Sequence, residues 1–149
     1  MGSRVQGYKG TRVQEYKSER VRERQKMEKG ARRFEELWVW QQARELVKEV
    51  YEDFRSGPGS TDYGFRHQIQ KAAVSIMNNI AEGFERSTDP EFARFLDIAK
   101  GSCGEVRSMY YTAEDLGYVD GPVADTRRSK ARQISAGIAS LAAHLRKEA

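Results

Sequence analysis

Cysteine and histidine are almost missing from this 149-residue sequence, which holds only Cys103, His67 and His144. A single cysteine cannot close an intrachain disulfide, and these three residues form no cluster of metal-ligand spacing. No metal and no cofactor is expected. Long apolar runs are missing too: nothing approaches the roughly 18 residues of a membrane span, and the basic, polar start of the chain lacks the apolar stretch of a signal peptide. The expectation is a cytoplasmic protein without membrane contact. Catalytic groupings are equally scarce, since no Ser-His-Asp or Cys-His constellation, phosphate-cradling glycine loop or placed carboxylate pair can be assembled. Neither an enzyme nor a small-molecule substrate is expected.

What the sequence does contain is charge, at 32% of residues, against 38% hydrophobic residues, enough for one compact domain with polar sequence to spare. The charge is unevenly spread. Residues 1–33 hold 11 Lys/Arg against 4 Glu, a net of +7, whereas residues 34–149 hold 15 basic against 18 acidic residues, a net of −3. Two regions follow: a basic tail over 1–33, expected to be disordered or irregular, and a folded domain over 34–149. The net +4 of the whole chain therefore does not make the domain a basic nucleic-acid binder.

The tail repeats itself. "RVQGYKG" from Arg4, "RVQEYKS" from Arg12 and the decayed "RVRERQK" from Arg20 recur every eight residues. Eight helical residues turn through about 800°, so the valines spiral around a helix and make no core stripe. Two readings stand. In one, Arg12, Lys17, Arg20, Arg22 and Arg24, interleaved with Tyr8 and Tyr16, form an arm suited to phosphates and unstacked bases. In the other, a short nucleotide repeat has been translated and Met27 is the natural start.

From Phe34 the pattern becomes helical. "FEELWVWQQARELVKEVYEDF" predicts one helix with Trp40, Ala43, Val47, Val50, Tyr51 and Phe54 inward. Trp38 falls off that face, near the sector of Leu46, either as a lone exposed aromatic or as part of a subunit interface. Gly57, Pro58 and Gly59 stop the helix, and Ser60 or Thr61 is expected to cap the next.

The second helix, about Asp62 to Phe84, sets Phe65, Ile69, Ala72, Ala73, Ile76, Ile80 and Phe84 on one arc. Gln68, Lys71, Ser75, Asn79 and Glu82 line an arc beside it. Two adjacent asparagines in a helix cost about 1 kcal/mol relative to alanine, so something offsets them. Either a polar stripe of Ser75, Asn79 and Glu82 fixes bundle register, with Arg94 or Arg44 as the partner of the carboxylate, or the stripe faces a partner molecule.

Thr88, Pro90 and Glu91 make a legible start for a third helix, whose inward stripe is Phe92, Phe95, Leu96, Ala99, Cys103, Val106, Tyr110 and Ala113. Cys103 reads as core packing, and Gly101, Ser102 and Gly104 would allow close helix approach. Gly117 ends this helix. The fourth, about Val123 to Lys147, turns Ile134, Ile138, Leu141 and Leu145 inward. Arg127, Arg128, Lys130 and Arg132 in its first half are either a solvated face or an anion-binding ridge. The fold class is all-α, an up-and-down antiparallel four-helix bundle.

The stretches "FEELWVWQQARELV", "YGFRHQIQKAAVSIMNNIAEGFER", "FARFLDIAKGSCGE" and "AEDLGYV" resemble the four-helix bundle proteins encoded within intervening sequences of bacterial large-subunit ribosomal RNA genes. The likeness spans about Phe34 to Val119, with the fourth helix similar only in pattern, and is most specific at Asn79-Ile80-Ala81-Glu82-Gly83. Met77 departs from it, standing where the family usually has proline. The resemblance implies an up-and-down bundle, often a ring-shaped homopentamer. It also implies kinship with accessory proteins of diversity-generating retroelements, which bind nucleic acid and a reverse transcriptase. Two functional classes follow: an oligomer binding RNA or DNA, and a protein-interaction scaffold.

Overall fold

The computed structural model describes residues 30–148. The basic repeat lies outside the described residues, and with it Arg12, Lys17, Arg20, Arg22 and Arg24. Four helices follow in order: α1 (Trp38–Asp53), α2 (Tyr63–Phe84), α3 (Asp89–Asp115) and α4 (Gly121–Glu148). Short 3-10 turns at Phe34–Glu36 and Pro58–Thr61 precede α1 and α2. Each helix packs on the next in sequence and α4 returns to α1, which makes an antiparallel up-and-down bundle with no strand among the described residues. None of these helices is long and apolar enough to cross a membrane.

The predicted first helix is interrupted. Leu37 has extended backbone (φ −75°, ψ 128°) and is fully buried, so the chain turns there before α1 begins. The 3-10 turn lays Phe34 against Trp40, with ring centroids 5.2 Å apart, and the Gln41 side-chain amide donates to the Glu35 carbonyl. As a result α1 is rotated from the expected orientation. Its buried residues are Val39, Ala43, Leu46 and Val50, followed by Phe54, while Tyr51 is 44% exposed and Trp40 and Val47 are half-buried. Ala43, Val50 and Phe54 belong to both stripes, and Leu37 and Val39 decide between them.

The inward stripes of the other helices are as the periodicity predicts. Ile69, Ala72, Ala73, Ile76 and Ile80 of α2 meet Leu96, Ala99, Cys103 and Val106 of α3 and Ile134, Ile138, Leu141 and Leu145 of α4 in one core. Burying a side chain of this size is worth about 1.5–3 kcal/mol, so this apolar seam dominates stability. Gly83 lets α2 approach α3 closely, since a Cβ there would lie 2.6 Å from Phe95 Cβ. Gly101 and Gly104 were expected to do the same but face open space.

The helix ends show local hydrogen bonding. Asp62 caps α2 by accepting from the Phe65 amide, while the Ser60 and Thr61 hydroxyls donate back to Gly57 and Pro58 carbonyls instead of capping as expected. Thr88 Oγ1 accepts from the Glu91 amide at the start of α3, and Asp120 accepts from the Val123 amide at the start of α4. Gly117, at φ 70°, ends α3, and the next amide, of Tyr118, donates to the Ala113 carbonyl.

Candidate functional site

The largest polar assembly joins α1, α3 and α4. Glu45, Glu49 and Asp53 recur every four residues and so share one flank of α1. Arg127 of α4 donates from Nε to Asp53 Oδ2 at 2.7 Å, from Nη2 to Asp53 Oδ1 at 2.8 Å and from Nη1 to Glu49 Oε2 at 2.7 Å. Lys130 donates to Glu45 at 3.0 Å and also to Glu49. From α3, the Tyr110 hydroxyl donates to Asp53 Oδ2 at 2.7 Å. Burial, and then the Asp53 carboxylate, push the Tyr110 phenol well above its ordinary range, while the hydrogen bonds to Asp53 raise the pKa of Arg127.

Arg128 turns the other way, toward α3. It donates to Glu114 Oε2 at 2.8 Å, to the Asp125 carboxylate and to the Tyr110 carbonyl, and its guanidinium lies 4.1 Å from the Tyr111 ring centroid. Only 7% of Arg128 is exposed. Three of the four cations expected to form a ridge on the fourth helix are therefore satisfied by carboxylates of α1, α3 and α4 itself. Arg132 alone is exposed with no ion-pair partner among the described residues. The two guanidiniums and the Lys130 ammonium, engaged in this way, tie the bundle together and have few donors left for phosphate.

The polar stripe of α2 reaches α3 through its smallest member. Ser75 Oγ and Ser102 Oγ are 2.9 Å apart, and Asn79 Nδ2 donates to the Ser75 carbonyl at 2.8 Å and to Ser75 Oγ at 3.0 Å. Asn79 thus steadies the serine that makes the cross-helix bond. Glu82 takes no part in it. Its carboxylate accepts from Arg86 one turn along at 3.1 Å, exposed on the surface, instead of from Arg94 or Arg44. Those two arginines lie over aromatic rings, Arg94 5.1 Å from Phe95 and Arg44 5.7 Å from Trp40. At about 100° per residue Glu82 lies about 60° beyond Asn79 and about 20° beyond Ser75 on the side away from the core stripe, which leaves its carboxylate in solvent.

The candidate interface pair divides as well. Leu46 is fully buried in the core, which removes it from any subunit contact. Trp38 is half-buried against α4, where a Cβ on Gly137 would come within 2.9 Å of its ring. Packing within the chain explains this tryptophan. Cys103 is 1% exposed, and burial pushes its thiol up to about 12, so it stays protonated as an inert core residue.

Asp53, Glu49 and Tyr110 went unrecognised as functional partners in the sequence. A signal was available: acids every four residues on one helix, and cations three apart at 127 and 130 on an antiparallel neighbour.

A search of curated proteins returned no match. The family described as 23S rRNA-intervening sequence protein matches residues 35–140, extending past the α3–α4 turn into α4. With most of the bundle covered, the chain belongs to the 23S rRNA-intervening sequence protein family.

Proposed function

We propose that this chain is a non-enzymatic accessory protein that binds RNA as an oligomer of four-helix bundles. The observation that carries this reading is membership of a family whose description ties it to 23S rRNA. The ring-shaped homopentamer implied by the resemblance is the favoured assembly, and the cytoplasm is its place of action. In such a ring each weak surface contact is repeated around the symmetry axis, so modest single sites add up to useful avidity.

The second reading is a protein-interaction scaffold, for instance a partner of a reverse transcriptase like the accessory proteins of diversity-generating retroelements. It is favoured by the net −3 of residues 34–149 and by the internal pairing of Arg127, Arg128 and Lys130. Purification from the native cell, with sequencing of co-purified RNA and identification of co-purified proteins, separates the two. A discrete RNA population that is lost on nuclease treatment supports the first reading. A stoichiometric protein partner that survives nuclease, with no enriched RNA, overturns it.

A further inference from the structure

Because α4 engages Glu45, Glu49 and Asp53, the charge left on the rest of α1 is mostly positive, Arg44 and Lys48 against Glu52. Going round α1 from the Glu45–Glu49–Asp53 flank, the core stripe comes next. Past the core stripe, about 110–170° round the helix from its centre, α1 carries Tyr51, Arg44 and Lys48, all exposed, with Arg55 just beyond the helix end. Across the groove, the first turn of α2 presents Tyr63 and Arg66. Among the described residues, none of Arg44, Lys48, Arg55 and Arg66 forms an ion pair. Glu52 is the acidic residue that shares this exposed side.

The tyrosines make this more than a solvated basic face. Tyr63 is 69% exposed and Tyr51 is 44% exposed, so both rings offer area to solvent. Arg66 is held beside Tyr63, its guanidinium 5.4 Å from the ring centroid and donating to the Ser60 carbonyl at 3.0 Å. Cations that follow a backbone, set between exposed aromatic rings, are the elements by which proteins hold unpaired nucleic acid. A duplex keeps its base faces stacked inside and would use only the cations.

We infer that the α1–α2 face, through Arg44, Lys48, Arg55 and Arg66 with Tyr51 and Tyr63, binds single-stranded RNA by phosphate pairing and base stacking. From Arg44 to Arg55 the flank runs about 16 Å along the helix direction, long enough to follow several nucleotides. The assignment rests on the RNA-binding reading above and adds its surface and the strandedness of its ligand. It also replaces the fourth-helix ridge with a different set of cations.

The test uses the full chain, fluorescence anisotropy, a labelled oligouridine and a blunt RNA duplex of the same length. Tyr51→Ala with Tyr63→Ala should weaken the single strand by roughly fivefold or more per ring and leave the duplex within about twofold. Arg44→Gln, Lys48→Gln and Arg55→Gln together should weaken both probes and flatten the salt dependence of single-strand binding by about two in log–log slope. Lys100→Gln with Arg107→Gln, on the solvent face of α3, is the control and should change little. All the substituted residues are exposed, so matching thermal denaturation curves verify the fold. Wild-type protein that binds neither probe overturns the RNA reading as a whole. Wild-type binding that survives the α1–α2 variants, or falls equally with the α3 control, overturns this surface and leaves that reading standing. Displacement of the oligouridine by polyglutamate, with no effect of the tyrosine variants, overturns it in favour of an acidic protein partner.

Discussion

Arg127 grips both carboxylate oxygens of Asp53, 74 residues earlier in the chain, and the same carboxylate accepts from Tyr110. One acidic side chain near the end of α1 therefore holds α3 and α4 in register with it. The pair is mostly shielded, with 16% of the arginine side chain and 10% of the aspartate exposed. Removing one partner strands the other. On a solvated face or an anion-binding ridge, Arg127→Ala together with Arg128→Ala would leave stability unchanged; the geometry requires the opposite.

Arg127→Ala and Asp53→Ala should each destabilise the bundle by about 3 kcal/mol, the scale for breaking a shielded charge pair. Tyr110→Phe should cost about 1.5 kcal/mol, one hydrogen bond to a charged acceptor. A double-mutant cycle in urea should give a coupling energy of at least about 1 kcal/mol between Arg127 and Asp53. Additive effects would mean that the pair carries no net energy.

Stability should fall in alkali. Burial pushes Cys103 from 9.0 to about 12, and Tyr110 is also raised. A group whose pKa is raised in the folded state contributes fully below its unfolded pKa. That contribution is lost as pH rises, because the unfolded chain releases a proton that the folded chain retains. For Cys103 the window is pH 9 to about 12, with a slope approaching 1.4 kcal/mol per pH unit. Cys103→Ala should flatten the pH dependence of the urea midpoint in this window while lowering stability at neutral pH through the lost packing. An unchanged slope would show that the thiol ionises in the folded protein.

The contrast between helices shows what the sequence discloses. In α2, α3 and α4 a single apolar stripe recurs every three or four residues, so the inward faces of Ile76, Leu96 and Ile138 could be named from spacing alone. In α1 two stripes share Ala43, Val50 and, just past the helix end, Phe54, and the bulk of Trp40 and Tyr51 favours the wrong one. The break at Leu37 carries no glycine or proline to announce it. The roles of Arg127, Arg128 and Lys130 were hidden for another reason. The α1 partners of Arg127 and Lys130 lie more than 70 residues away, and Arg128 reaches Glu114 only once α3 and α4 are packed; helix register is set by core packing, which a local pattern of cations does not contain.

The Glu82 substitution separates a surface pair from a structural one. With Arg86 as its exposed partner, Glu82→Ala should cost about 0.3–0.5 kcal/mol, the usual value of a helical pair four residues apart. A loss above about 1.5 kcal/mol in chemical denaturation would mean that a shielded partner had been stranded.

Three glycines give the sharpest test of the bundle geometry, because alanine is the better helix former at each by about 1 kcal/mol. At Gly101 and Gly104 a Cβ meets nothing within 4 Å, so each alanine substitution should stabilise the chain by about that amount. At Gly83 the added carbon would lie 2.6 Å from Phe95 Cβ and 3.3 Å from the Phe92 carbonyl oxygen, positions that no flexible side-chain end can vacate. The helices must then separate, at about 1–3 kcal/mol for overpacking, so Gly83→Ala should be net destabilising despite its helix propensity. Thermal melts of the three variants should rank Gly83→Ala below wild type and the other two above it. A Gly83→Ala protein as stable as wild type would mean that α2 and α3 do not approach this closely. Loss of stability at Gly104→Ala would mean that the outer face of α3 is covered in the assembled protein.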